Sequence, residues 1–257
     1  MNKPDISIII PGIRNSNWLN VFDSIVSSTK RTFEVIFCGP YLPDIDLACI
    51  NTFKYIKDLG SPARASQIAA QSAEGKYLMW SADDALFLDD ALDKNIDLLE
   101  SMGNDIGNVV VAKYYEGING TEKILQPDDY FKVKGSTWTH SPFVPEHYWL
   151  FNVAIMHRMW FETLGGWDCS FEGTFYTHTD LAIRAQSSNS IVKMSDYPLL
   201  NCDHNQSDHF PIENAQINND KPLYFKKYGN PNWVMKERFI AMDNWKNSPC
   251  MWKKRFA

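Results

Sequence analysis

The amino-acid sequence predicts a single α/β domain with a mostly parallel central sheet flanked by helices, followed by a basic, aromatic C-terminal appendage. Strand-like runs alternate with helical patterns over the first hundred residues, as in strand–helix–strand units. The chain has 257 residues, of which 44% are hydrophobic and 22% charged, so it can bury one large core. No apolar run approaches the roughly 20 residues of a membrane helix.

Four strands are predicted in the first hundred residues, at 6–10, 33–38, 53–57 and 77–80, and the first three are followed directly by Pro, Gly or Asp. Apolar residues on one face predict a helix over 18–28. A second helix begins at Ser61-Pro62, an N-cap followed by proline at the first helical position, and ends before Gly75. Another helix follows residue 88, with Asp89 or Asp90 as its cap.

The second half predicts strands at 109–112, 151–156, 191–194 and 199–200, and helices at 159–164 and 179–185. Residues 113–148 are irregular, and we expect mostly loops there. We therefore divide the chain into a domain over 1–220 and an extension over 221–257.

Two adjacent carboxylates, Asp83 and Asp84, follow the strand pattern Tyr77–Trp80. Acidic residues at the carboxyl end of a parallel strand lie in the crevice where open α/β sheets bind ligands. The two would repel each other unless a cation, a proton or a solvated turn relieved them, and magnesium is often held by one or two carboxylates plus phosphate oxygens. The alternative is a helix N-terminus that simply favours acids.

Several blocks resemble glycosyltransferase family 2 and its GT-A fold, in the family's order and over roughly positions 5 to 205. They are ISIIIP at 6–11, ASQIAAQSAEGKYLMWSADD at 65–84, NVAIMHRMWFETLGGWD at 152–168, HTDLAIR at 178–184 and CDH at 202–204. The resemblance implies a GT-A type domain that moves a sugar from a UDP- or GDP-linked donor to a glycan, lipid-linked or other hydroxyl acceptor. It also implies Mn²⁺ or Mg²⁺ as cofactor and inversion at the sugar.

Two other functions stay open. A degenerate GT-A domain would bind a nucleotide-sugar or glycan without turnover. A nucleotidyltransferase is disfavoured, because no Gly-rich phosphate loop follows the first strand.

The resemblance implies that Asp83 binds the metal and that His204 could complete the metal site, while Asp84 could orient a water, a ribose or the donor sugar. The predicted nucleotide-sugar-binding residues are Pro11, Gly12, Gly39, Asp58, Arg64, Asp83 and Asp84, and the predicted acceptor-binding residues are Trp167 and Asp168. Arg64 near a helix start could meet phosphate, or it could be a surface arginine. His204 could equally be a solvated loop histidine.

The sequence departs from the family pattern at three places. Gly39-Pro40 stands where the family has an acidic pair that reads the base, Ser81 replaces the first Asp of the DxD-type motif, and Thr177-His178 replaces the ED block. These departures are compatible with altered donor use, weak metal binding or loss of catalysis.

The catalytic base is predicted to be Asp180, with His178 as the runner-up. The family position maps to His178 when the block is aligned on Asp180-Leu181, but the segment from Gly165 is one residue longer than usual. In an extended stretch both side chains could face the site, whereas on a helix they would diverge by about 200°.

Charge is distributed unevenly along the chain. Residues 221–257 hold nine Lys/Arg and two Asp/Glu, a net charge of +7. Because the whole chain has a net charge of −6, the other residues carry −6 − 7 = −13. Basic and aromatic residues together suit an anionic membrane interface, and the alternative is a helix packed on the body with its charges solvated.

Compartment is predicted from the cysteines and the N-terminus. Five cysteines are scattered without a CxxC pair, and no signal-peptide core precedes the first strand. We expect a cytoplasmic protein, with the inner face of a membrane as a contact for the tail, and no nucleic-acid partner.

Overall fold

The computed structural model describes residues 3–118, 121–124, 132–133, 148–203 and 210–228. Its strands are β1 (Ile6–Pro11), β2 (Phe33–Gly39), β3 (Phe53–Lys57), β4 (Tyr77–Trp80), β5 (Ala85–Phe87), β6 (Val109–Val111), β7 (Tyr114–Ile118), β8 (Thr121–Ile124), β9 (Lys132–Val133), β10 (Tyr148–Trp149), β11 (Ala154–His157), β12 (Val192–Met194) and β13 (Leu200–Asp203). Its α-helices are α1 (Trp18–Ser28), α2 (Ile45–Ala48), α3 (Pro62–Gln71), α4 (Ala91–Ser101), α5 (Arg158–Thr163), α6 (Thr174–Ser187), α7 (Phe210–Ala215) and α8 (Lys221–Tyr228).

A seven-stranded sheet in the order β12-β6-β11-β4-β1-β2-β3 forms the centre of the domain. Strand β11 runs antiparallel to both of its neighbours, and the other strands are parallel to one another. The chain adds β2 and β3 on one side of β1 and then crosses to add β4 on the other. The strand order therefore reverses between β1 and β4, and ligands bind outside the carboxyl ends of strands at such a point.

The central strands are continuous apolar runs because helices cover both faces of the sheet. In β1, Ile6, Ile8 and Ile10 pack with α1 and α4, while Ile9 packs on the other face with α3 and α6. Ser61 caps α3 as expected, its side chain accepting from the backbone N–H of Arg64 at 3.4 Å. The mostly parallel sheet flanked by helices is confirmed.

The prediction of loops over 113–148 was wrong for part of that range. Strand β7 enters a four-stranded sheet in the order β5-β13-β7-β8, and β9 pairs with β10. Strand β5, which follows the acidic pair, is also part of this sheet, pairing Ala85 with Cys202. The second sheet thus ties the acidic loop to the strand that precedes His204.

The chain end that the structure describes packs into the domain. A π-helical turn, Gln216–Asp220, joins α7 to α8, and Tyr224 and Tyr228 are fully buried in a core cluster that also contains residues of the sheet and of α6. Residues 221–228, predicted as the start of an appendage, are thus integrated with the domain, and residues 229–257 lie outside the described part. Among the described helices, none is long and apolar enough to cross a membrane.

Candidate functional site

A cavity of about 470 Å³ opens where the strand order reverses. Its walls come from the loops after β1 and β4, from β13, from the start of α6 and from the α7 region. Pro11, Arg14, Asp84 and His178 all line it. The fold therefore joins residues about 160 positions apart in sequence into one site of the size that small-molecule ligands occupy.

Asp83 is held by protein donors. Its Oδ2 accepts hydrogen bonds from the backbone N–H groups of Ile13 at 2.7 Å and Arg14 at 2.6 Å, and from the indole Nε1 of Trp18 at 3.3 Å. Its Oδ1 accepts from Nη1 of Arg14 at 2.6 Å, and only 2% of its side chain is exposed. This carboxylate fastens the loop after β1 to the loop after β4, which does not support its predicted role as metal ligand.

Of the two adjacent aspartates, Asp84 is the one that lines the cavity. Its Oδ2 lies 3.3 Å from Nη1 of Arg14, and its Oδ1 lies 3.7 Å from the thiol of Cys202, which can donate a weak hydrogen bond. Within the described ranges no group of three or more His, Cys, Asp or Glu could hold a metal. Asp84 alone still fits Mn²⁺ or Mg²⁺, which bind through one or two carboxylates when a phosphate-bearing substrate and water complete the shell. The Arg14 guanidinium already places a positive charge at this carboxylate.

Two glycines allow the loops after β1 and β2 to approach closely. A Cβ on Gly39 would lie 1.8 Å from the carbonyl oxygen of Gly12, and a Cβ on Gly12 would lie 2.8 Å from the indole of Trp18. Trp18 is fully buried and packs on Phe37, with 4.6 Å between ring centroids. The predicted residues Gly12 and Gly39 therefore shape the loops beside the cavity and lie outside its lining.

Asp58 and Arg64, both predicted to bind the nucleotide, pair with each other. Nη2 of Arg64 lies 2.8 Å from Oδ1 of Asp58, and Oδ2 of Asp58 accepts a hydrogen bond from the backbone N–H of Gly60. Burial raises the pKa of Asp58, against the lowering effect of Gly60 and Arg64. The pair holds the β3–α3 turn and is not among the residues that line the cavity.

His178 and Asp180 lie on one helix, α6, and therefore point in different directions. His178 lines the cavity, with its ring 5.7 Å from Trp80 and 5.0 Å from Trp167 between centroids. Burial lowers the pKa of His178 to about 3, so its imidazole is neutral near pH 7. The position aligned with the family's base thus faces the site as a neutral ring.

Asp180 is fully buried among cations on the other side of α6. Arg184 lies 2.8 Å away, and Lys227 and the hydroxyl of Tyr228 also donate to its carboxylate. Burial alone would raise the pKa of Asp180, but Arg184 and Lys227 hold it well below its ordinary range. A carboxylate in this position is a weak base without access to the cavity, so the geometry favours His178 over Asp180.

The predicted acceptor residues have structural roles. Trp167 is fully buried, edge-to-face with Trp80 at 4.7 Å between centroids. Asp168 accepts from Nζ of Lys227 at 2.8 Å, which helps to hold α8 on the domain. Neither residue is in the described lining of the cavity. His204, the second predicted metal ligand, lies outside the described residues.

Sequence reasoning missed Arg14 and the contribution of the C-terminal segment to the site. Gln216, in the π-helical turn, lines the cavity, and Asp220 accepts from the backbone N–H groups of Glu172 and Gly173 just before α6. For Arg14 a signal existed, because it is a basic residue in the loop after β1 at the reversal of strand order. For Gln216 the sequence offers none.

Comparison with known proteins supports the fold. The sequence matches no protein-family model. It is 26% identical over 130 residues to an uncharacterized glycosyltransferase of Rickettsia bellii (strain RML369-C), and the match covers 48% of this chain and 19% of that protein. The chain thus matches about a fifth of the length of this curated relative.

Solved structures of S. aureus TarS share the architecture. The complex of TarS 1–349 with UDP-GlcNAc gives a TM-score of 0.59 at 13% identity, covering 91% of this chain and 69% of that one. The complex of TarS 1–349 with UDP gives a TM-score of 0.57 at 12% identity, covering 91% of this chain and 68% of that one. At these identities the likeness shows the fold alone, and it confirms the GT-A-like α/β domain that the sequence resemblance implied.

Proposed function

We propose that this protein is a glycosyltransferase that uses a nucleotide-sugar donor. The observation that carries the proposal is the single cavity that joins Asp84 and Arg14 at the reversal of strand order with His178 on α6. The relative that is named a glycosyltransferase and the TarS structures with UDP and UDP-GlcNAc support it. A UDP-linked sugar is therefore the first donor to test, with GDP-linked sugars second.

The reaction we propose is an inverting transfer by single displacement. The acceptor hydroxyl oxygen forms a bond to the anomeric carbon while the bond from that carbon to the diphosphate oxygen breaks. The electron pair of the broken bond leaves with the nucleoside diphosphate, and the hydroxyl proton passes to a base. The acceptor, a glycan or a lipid-linked hydroxyl, would enter between His178 and the donor.

His178 is the base that this geometry favours. Its pKa of about 3 makes His178 by itself a weak base. The imidazolium that forms when His178 takes the acceptor proton would be stabilised by the negative charge that develops on the diphosphate as its bond to the anomeric carbon breaks. Help of this kind is typically worth about 10²–10⁴-fold in rate.

A divalent cation, Mn²⁺ or Mg²⁺, would be held by Asp84 with the donor phosphates. It would supply Lewis-acid neutralisation of the diphosphate as leaving group. The chain's own part is to fix the loop that carries Asp84, through the bonds that Asp83 accepts.

A second candidate function is nucleotide-sugar binding without turnover. The low pKa of His178, at the position where the family carries an acid, favours it. Both functions predict donor binding, and only the first predicts products.

The test begins with a thermal-shift screen of UDP- and GDP-sugars, because a ligand at a hundred times its Kd adds about 2.7 kcal/mol of stability. Donors that bind are then assayed for hydrolysis and transfer with and without Mn²⁺. His178→Gln should bind donor normally and lose turnover. His157→Gln is the matched control, since that ring packs on Tyr77 at the opposite end of β4. The transferase proposal fails if bound donor is never turned over, and both proposals fail if no nucleotide-sugar binds.

A further inference from the structure

Arg14 lies between the two carboxylates of the acidic loop. Its Nη1 is 2.6 Å from Oδ1 of Asp83 and 3.3 Å from Oδ2 of Asp84. The Arg14 side chain is 16% exposed and the residue lines the cavity. A permanent positive charge thus stands where the sequence predicted a divalent cation, because a guanidinium does not lose its proton in proteins.

The position of this guanidinium is fixed by its own loop. Asp83 accepts from the backbone N–H of Arg14 as well as from its side chain, so one carboxylate holds the residue at both points. The contact with Asp84 is longer and faces the cavity. We therefore expect the bond to Asp83 to persist, while the contact with Asp84 can be exchanged.

We propose that Arg14 competes with a divalent cation for Asp84, so that the cation binds together with the donor diphosphate and poorly before it. This inference rests on the proposed function, because the diphosphate is the donor's. A cation that approaches Asp84 alone meets the charge of Arg14 and must displace its contact. The phosphate oxygens of a diphosphate match the donor geometry of the Arg14 guanidinium. When Arg14 binds them, Asp84 is left for the cation.

Binding of the two ligands is then coupled, and the coupling is reciprocal. UDP raises the affinity for Mn²⁺ by some factor, and Mn²⁺ raises the affinity for UDP by the same factor. Couplings of this kind are commonly 5- to 150-fold, and we expect about tenfold or more here. The part of the coupling that exceeds direct contact between Mn²⁺ and phosphate comes from Arg14.

The experiment measures Mn²⁺ affinity by electron paramagnetic resonance titration of the full chain, with and without UDP. Arg14→Gln removes the positive charge. Without UDP, this variant should bind Mn²⁺ about tenfold more tightly than the wild type does. Arg14→Lys keeps a charge and should stay near the wild-type affinity. Arg158→Gln, which removes an arginine paired with Glu162 on the far side of the domain, is the control for net charge. Circular dichroism confirms that each variant is folded.

In the presence of UDP the difference in Mn²⁺ affinity between the wild type and Arg14→Gln should shrink, because Arg14 of the wild type then binds the diphosphate instead of Asp84. The inference is overturned if Arg14→Gln binds Mn²⁺ no more tightly than wild type, or if neither protein binds Mn²⁺ at all. UDP binding, measured separately by calorimetry, distinguishes this failure from failure of the proposed function. If UDP binds while Arg14→Gln leaves Mn²⁺ affinity unchanged, only the role of Arg14 is lost.

Discussion

Substituting Asp83 by asparagine tests whether this residue fastens the acidic loop or holds a metal. The change keeps the shape of the side chain and removes its charge. One of the two acceptor oxygens becomes an NH₂ donor. Because the carboxylate faces three N–H donors on Oδ2 and a guanidinium on Oδ1, either orientation of the amide points its NH₂ at a donor. The asparagine side chain therefore loses hydrogen bonds in either orientation of its amide.

The magnitude follows from burial and charge. Asp83 has a 2% exposed side chain and Arg14 a 16% exposed one. Hydrogen bonds to charged groups contribute about 1.5–3 kcal/mol each, and breaking a buried pair costs about 3–5 kcal/mol. We expect Asp83→Asn to destabilise the domain by about 3 kcal/mol. For a chain of this size that corresponds to a fall in Tm of about 6–12 °C.

Asp84→Asn is the matched control, since the two residues are adjacent and the substitution is the same. Its contacts are longer, at 3.3 Å and 3.7 Å, and it faces the cavity. Because these contacts are longer than those of Asp83 and one of them is to a weak thiol donor, we expect a smaller fall in Tm than for Asp83→Asn. Its effect should appear in Mn²⁺-dependent donor binding.

Both variants are compared with the wild type by thermal and urea denaturation followed by circular dichroism. The fastening role is refuted if Asp83→Asn unfolds at the wild-type temperature. If that variant is fully stable and has lost its response to Mn²⁺, the role of metal ligand predicted from the sequence is restored.

Four further predictions concern other parts of the chain. Asp180→Asn should destabilise the domain by about 3–5 kcal/mol in urea denaturation, because it leaves buried cations without their carboxylate. Gly39→Ala should cost about 1–3 kcal/mol and weaken UDP binding in calorimetry, because its Cβ would meet the Gly12 carbonyl and push the loops apart. The pKa of His178 is lowered in the folded state, so the unfolded chain binds more protons and the free energy of unfolding falls as the pH drops from about 6.5 towards 3. In His178→Gln this pH dependence should be weaker by up to about 1.4 kcal/mol per pH unit. Denaturation at a series of pH values measures it. The basic segment 221–257 predicts flotation of the intact protein with anionic vesicles at low salt, and absence of flotation would remove the membrane contact.

Much of the fold was predictable from local sequence. The buried strands β1 and β2 are apolar runs ended by Pro or Gly, and α1 has the predicted bounds. Ser61 and Pro62 marked the start of α3 because capping depends on neighbouring residues alone. Strand β5 could not be predicted in this way. It has three residues, and its pairing partner β13 lies more than a hundred positions later.

The sequence by itself placed an acidic pair after β4, a candidate base in the block around residue 178, and a mostly parallel sheet flanked by helices. Only the tertiary structure decided which member of each pair faces the cavity. Asp83 and Asp84 are adjacent in sequence, but one is covered by donors from the loop after β1 and the other faces the cavity. His178 and Asp180 are two residues apart, and the helical rotation of about 200° directs one to the cavity and the other to Arg184. The physical reason is that a carboxylate's role depends on which donors surround it, and those donors come from elements distant in sequence.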